Sequence, residues 1–173
     1  RRYTREGYLE CVARMRAAIP SLALTTDIIV GFPGESDADF EETLSAVREV
    51  GFMDAFTFKF SPREGTPATR MPASDTIPDE VASERLDRLV ATVRGIARAQ
   101  NLQRLGETVE VLIEKPAKRG ELLQGRTRDF RTVLVPGDAS LVGSYMTVQL
   151  TGTTGATFTG APVARRQPLA MVG

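Results

Sequence analysis

Thr25-Thr26-Asp27-Ile28-Ile29-Val30-Gly31-Phe32-Pro33-Gly34-Glu35-Ser36 is the stretch whose reading decides the fold. It reads as a buried strand, a sharp Gly/Pro turn at its C-terminal end, and an acidic helix start. The turn residues suit a tight reversal, Gly31 by its conformational freedom and Pro33 by its rigidity. Ser36-Asp37-Ala38-Asp39 resembles a capping box with Asp in place of the usual Glu or Gln. A second stretch, Phe56-Thr57-Phe58-Lys59-Phe60-Ser61-Pro62-Arg63, follows one helix later and ends in a similar way. Ligands in α/β proteins gather at the C-terminal ends of parallel strands, so the pair reads as one side of a site's mouth.

Working outward, residues 5–19 carry Tyr8, Val12, Met15 and Ile19 at helical spacing, and Pro20 ends the run. Cys11 lies near that apolar stripe and reads as a small buried residue. A helix over 37–50 has Phe40, Leu44 and Val47 on its apolar face and Gly51 as its stop. Residues 61–76 form a long Pro/Gly/Ser-rich loop. Pro78-Asp79-Glu80 opens the longest helix, with a stripe of Leu86, Leu89, Val90, Val93, Ile96 and Ala97. Two strands joined by a crossover helix imply a parallel sheet. Two strands with three helices do not complete a domain, which makes this region the last third of a larger (β/α) barrel.

After Gly106 the pattern changes. Short β-rich runs near 107–114, 121–127, 131–135, 144–150 and 156–163 predict a small OB-like antiparallel β-barrel. The expected division is 1–105, the C-terminal part of an α/β barrel, then a β-barrel over 106–164, then a loose tail over 165–173.

Alternation places Thr25, Asp27, Ile29 and Gly31 on one face of the first strand. On the second strand Phe52, Phe56, Phe58 and Phe60 are expected in the apolar layer under the helices. Thr57 and Lys59 would then join Asp27 inside the barrel. A buried Asp and Lys are costly unless paired or solvated. Either an Asp27–Lys59 ion pair or an open polar cavity satisfies that requirement.

Composition narrows the chemistry. The 173 residues are 42% hydrophobic and 25% charged, ordinary for a globular protein, and the formal net charge is +0. Residues 106–173 carry eight basic against six acidic side chains, a mild bias that permits nucleic-acid binding. Lys118, Arg119, Arg126, Arg128 and Arg131, with Phe130 among them, form the basic cluster of note. Such a cluster is either a solvated face or an RNA contact with a ring for stacking. There is no histidine and one cysteine, which excludes within this chain a Ser-His-Asp triad, an internal disulfide and a Cys-rich metal site. Gly31-Phe32-Pro33-Gly34-Glu35 lacks both phosphate-loop spacings and reads equally well as a plain strand-to-helix turn. No apolar run approaches the roughly 20 residues that span a bilayer, and no secretory signal is legible. A start on Arg1-Arg2-Tyr3 suggests a fragment.

The motifs together resemble a known family. Arg2-x-Thr4-Arg5-Glu6-x-Tyr8-Leu9, the segment Thr25 to Glu35, and Phe56 to Arg63 followed by Gly65-Thr66-Pro67-Ala68 are similar to the radical-SAM methylthiotransferases. Gly125-Arg126-Thr127-Arg128-Asp129-x-Arg131 resembles a hairpin of their RNA-binding TRAM barrel. Asp27 and the Phe-Thr-Phe stretch favour the tRNA-modifying branch over the sister branch that modifies a ribosomal-protein aspartate.

The resemblance implies the end of a (β/α)6 radical-SAM partial barrel followed by TRAM. It implies a cytoplasmic, monomeric enzyme, with no membrane contact, that adds a methylthio group to C2 of N6-isopentenyladenosine beside the anticodon. Its cofactors would be S-adenosylmethionine and two [4Fe–4S] clusters, its partners tRNA and an electron donor. The cluster cysteines are absent here, so this polypeptide alone would be inactive. Asp27-x-Ile29-x-Gly31 would border the adenine of S-adenosylmethionine, with Phe60, Ser61 and Pro62 at the next strand end. Glu35 falls one residue late for the family's motif. Thr57, Lys59 and Arg63 would face substrate, and Lys118, Arg119, Arg126, Arg128 and Arg131 would hold RNA. A non-catalytic TRAM module is the other reading.

Overall fold

A computed structural model describes residues 4–118 and 121–163. Arg119 and the tail expected to be loose, 165–173, lie outside the described residues. The chain divides into two compact units, Arg1–Ala97 and Arg98–Gly173.

The first unit contains α1 (Arg5–Ala18), β1 (Thr25–Val30), α2 (Asp37–Val50), β2 (Asp54–Lys59) and most of α3 (Asp79–Gln103). Thr4 caps α1 by accepting from the Gly7 amide. The capping box on α2 is complete, since Ser36 and Asp39 each accept from the other's backbone. Gly51 ends α2 in the left-handed conformation, φ 60°. β1 and β2 pair in parallel, with Asp27 beside Phe56 and Ile29 beside Phe58. Val12, Val30, Phe40, Leu44, Val47, Val50, Phe52, Leu89 and Val93 form the core. Of the α1 stripe Val12 is buried, Cys11 and Tyr8 are half-buried, and Met15 and Ile19 are exposed.

The register reverses the expected facing of β2. Phe56 and Phe58 share the face of Asp27 and Ile29, and both are exposed, at 68% and 50%. Thr57 and Lys59 instead share the face of Ile28 and Val30, which packs on the helices. Two of the four Phe side chains therefore lie outside the apolar layer. Phe52, just before the strand, is the one fully buried in it. Lys59 makes no pair with Asp27. Its ammonium donates to Asp79 at 2.6 Å and to Ser83 at 3.3 Å, both on α3. A flexible amine at a half-exposed rim is solvated and paired together, so the facing costs little.

The second unit holds β3 (Thr108–Pro116), β4 (Leu122–Thr127), β5 (Thr132–Pro136), β6 (Tyr145–Thr153) and β7 (Thr157–Pro162). They close into a barrel in the order β3-β4-β5-β7-β6. All neighbouring pairs are antiparallel except β5 with β7. Val111, Ile113, Leu123, Val133, Val135, Val148, Leu150 and Phe158 fill the interior. Gly125 is there because a Cβ would meet the Leu112 carbonyl and Val111 at 2.5 Å. This is the OB-like barrel that the spacing of short strands predicts.

Candidate functional site

Two places gather the chemistry-bearing residues, one in each unit. In the first, β1 and β2 end side by side, and the Phe60 amide donates to the Val30 carbonyl at 2.8 Å. Phe32 and Phe60 follow directly and meet edge to face, ring centres 5.0 Å apart. Asp27 and Ile29 lie exposed on the open face, Ile29 at 53%. Ser61, Pro62 and Arg63 are exposed beyond Phe60. Of the expected adenine-side group, Gly31, Phe60, Ser61 and Pro62 lie at this strand end and Ile29 just before it, while Asp27 sits mid-strand on the face of Ile29. Thr57 and Lys59 stand apart from it, on the helix side.

Gly31 needs to be glycine twice over: its φ is 72°, and a Cβ would come within 2.7 Å of the Ala82 side chain. Glu35 holds this turn. Its carboxylate accepts from the Gly31 amide at 2.7 Å and from Arg85 at 2.7 Å, with about a tenth of its side chain exposed. Arg85 also donates to the Glu35 carbonyl and to Asp37 at 2.6 Å. Burial alone would lower the Arg85 pKa, but its bonds to Asp37 and Glu35 outweigh that and raise it. Glu35 is therefore spent on the turn rather than turned to a ligand. The sequence reading missed Arg85. Its one signal was a charged residue one position before the apolar stripe of α3, which also falls on the buried side.

The loop over 61–76 is folded rather than open. Short 3-10 turns occupy Pro67–Arg70 and Ala73–Asp75, and the Asp75 carbonyl accepts from the Gly34 amide at 2.8 Å.

In the barrel unit the β4–β5 hairpin carries the arginines, and they divide by burial. Arg128 is 91% exposed and reaches Glu110 only at 3.7 Å. Arg126 is partly exposed, donating to Glu114 at 3.3 Å and to the Phe130 carbonyl at 3.1 Å. Lys118 is exposed on the β3–β4 connection. Arg131 departs from the expected outward cluster. It turns inward, about one-tenth exposed, and bonds Asp129, Gln100 and Asn101. Alternation explains this: Arg131 precedes β5 at a position whose side chain faces the residues ending α3 rather than solvent. Burial would raise the Asp129 carboxyl, yet the Thr127 hydroxyl and the Arg104 and Arg131 guanidinium groups hold it below its usual range. Asn101, itself buried, donates to the Gly155 carbonyl at 2.8 Å.

Among the described residues no group of three or more His, Cys, Asp or Glu could hold a metal ion. No described helix is long and apolar enough to cross a membrane.

Comparison with known proteins bears directly on both places. The TRAM domain family matches residues 102–163. A tRNA-2-methylthio-N(6)-dimethylallyladenosine synthase of Geobacillus thermodenitrificans is 52% identical over 161 residues, 92% of this chain and 30% of the relative. Proteins of the same name from Moorella thermoacetica and Anoxybacillus flavithermus are 50% and 51% identical over 152 residues, 87% of this chain. The chain covers 34% and 28% of those two, so it spans about a third of the relatives it matches. These matches run through both units, and on them the chain is a region of a MiaB-like protein that carries the TRAM domain.

Proposed function

We propose that this chain is the C-terminal portion of a tRNA methylthiotransferase that modifies C2 of N6-isopentenyladenosine beside the anticodon. The observation that carries the reading is identity of about half the residues along nearly the whole chain to synthases of that name. The two-stranded parallel sheet supports it, since one covered and one open face is what the last strands of a (β/α) barrel leave when taken alone. Residues 1–105 supply that part of a radical-SAM barrel, 106–164 the RNA-binding barrel. The enzyme acts in the cytoplasm as a monomer, with tRNA and an electron donor as its partners.

The two [4Fe–4S] clusters need cysteines this chain does not have, so their ligands belong to the rest of the protein and the chain alone is inactive. S-adenosylmethionine fits the open strand end better. Exposed Ile29 and the Phe32–Phe60 pair offer apolar surface to an adenine, and Asp27 a carboxylate on the same face. Asp27, Ile29, Gly31, Phe60, Ser61 and Pro62 would border it, and it would supply the radical chemistry and the methyl group when bound. Arg63 stands where a base would enter. Thr57 and Lys59, on the helix side, support the strand rather than touch substrate. Lys118, Arg119, Arg126 and Arg128 hold RNA phosphates, and Arg131 fixes the hairpin that presents them.

Deleting the gene tests this reading. Bulk tRNA should lose its 2-methylthio adenosine by mass spectrometry, and reintroducing the whole gene should restore it. Loss of a methylthio group from a ribosomal-protein aspartate instead would move the assignment to the sister branch. In the whole enzyme, Arg126→Ala with Arg128→Ala should weaken tRNA binding and flatten its salt dependence by about two phosphate contacts. Unchanged affinity across a salt titration would remove these arginines from the interface.

A further inference from the structure

Phe130 sits at the tip of the β4–β5 hairpin with φ 63°, alone among described non-glycine residues in the left-handed region. That region penalises a Cβ, and Gly, Asn and Asp enter it most cheaply. The ring gains no burial in return, being 71% exposed. The hairpin's own bonding does not call for a ring either. The Phe130 amide donates to the Thr127 carbonyl and its carbonyl accepts from Arg126, backbone contacts any residue would offer.

A second ring lies on the same surface. Val111 and Ile113 point into the barrel, so their neighbour Leu112 points out. Leu112 pairs with Tyr145 on β6 and with Arg126 on β4, which makes Tyr145, Leu112 and Arg126 one outward row. At ordinary strand spacing Tyr145 and Arg126 stand about 10 Å apart. Tyr145 is 68% exposed, and Phe130 adjoins Arg126 at the other end of the row. The guanidinium groups between and beside the rings are held loosely, Arg126 by Glu114 at 3.3 Å and Arg128 by Glu110 at 3.7 Å.

We propose that this outer face binds unpaired RNA, stacking bases on Phe130 and Tyr145 while Arg126 and Arg128 hold the intervening phosphates. The inference rests on the RNA reading above and adds which state of RNA is taken and which side chains take it. Rings separated by paired charges suit a nucleic-acid strand, whose bases and phosphates alternate, better than a continuous apolar protein segment. Duplex RNA hides its base faces and would use the arginines alone. Glu110 and Glu114 are the groups that phosphate must displace.

The test compares the full chain with Phe130→Asn and with Phe130→Asn/Tyr145→Ala. The ligands are an unstructured octanucleotide RNA containing 2-aminopurine and a duplex RNA of the same length. The wild type should prefer the single strand and alter the fluorescence of the stacked 2-aminopurine. Phe130→Asn should weaken single-strand binding about tenfold while raising Tm by a few degrees, because Asn tolerates the left-handed backbone. Affinity and stability moving in opposite directions is a result that a merely structural Phe130 would not give. The double variant should lose the single-strand preference and the fluorescence change, yet keep its salt-dependent binding. Unchanged single-strand affinity in the double variant, or a wild-type preference for duplex, would overturn the proposal and leave the RNA reading standing. A wild-type chain that binds neither RNA would overturn the proposal together with the RNA reading of this unit.

Discussion

The two units solve the same problem, how to bury the faces of β-strands, to different degrees of completion. The five strands of the second unit close on themselves, so every edge is paired and the interior is filled by its own side chains. The first unit has two parallel strands with helices on one face only. On the other face Ile29, Phe56 and Phe58 are about half or more exposed. Such a patch on an isolated domain marks a surface meant to be covered. One unit is thus self-sufficient, while the other leaves an apolar face that needs a further surface to cover it.

Matched phenylalanine truncations test that comparison most sharply. Phe158→Ala removes a ring fully buried in the barrel and should cost about 3–5 kcal/mol. Phe58→Ala removes a half-exposed ring and should change stability by about 0.5 kcal/mol or less, while improving solubility. Hydrogen exchange, read peptide by peptide, assigns each loss to its unit. Equal losses at the two sites would show that the open face is packed after all.

Next in size is Glu35→Gln. It breaks an ion pair whose partners are about nine-tenths buried. Breaking such a pair costs about 3–5 kcal/mol. The remaining Asp37–Arg85 contact and the accepting amide oxygen should hold the loss near about 2 kcal/mol. Faster exchange at the Gly31 amide, whose acceptor is Glu35, is the specific sign.

The sequence carried the element order well because its signals were local. Gly51, the Ser36–Asp39 box and Pro20 mark helix ends by short-range chemistry, and α1, α2 and α3 begin and end within about two residues of where those signals place them. Facing was less legible. Phe56 and Phe58 alternate so cleanly that they read as core, but alternation fixes only that two faces differ, not which face the helices cover. That choice is made by the pairing of β2 with β1, a non-local fact. Arg131 and Arg85 were opaque for the same reason. A charged residue looks solvated in sequence, and its buried carboxylate or amide partners lie about 30 to 50 positions away. The candidate strand-end site was readable as residues at two turns, whereas the bond from the Gly31 amide to Glu35 exists only in the folded turn.

Asp129→Asn should cost less than Phe158→Ala or Glu35→Gln and give the most informative pH profile. The Asp129 carboxylate ties Thr127, Arg104 and Arg131 together at the base of the hairpin. Its folded pKa lies below the ordinary carboxylate value of 3.8. A depressed folded pKa means that the unfolded chain binds the proton first as pH falls. Its stabilisation is thus fully present above about pH 5 and is lost as pH drops through the lowered folded value. At pH 7 the Asp129→Asn variant should be less stable by about 1–2 kcal/mol, and the two proteins should converge as pH falls through the lowered folded value. The first unit offers the contrast, since one of its two lowered carboxyls, Asp39, sits in solvent on the α2 cap. Acid there should fray one helix end, while in the barrel unit it releases two guanidinium groups at once. Peptide-level exchange across a pH series distinguishes the two. A stability curve for Asp129→Asn that runs parallel to the wild type throughout the acid range would remove Asp129 from the account.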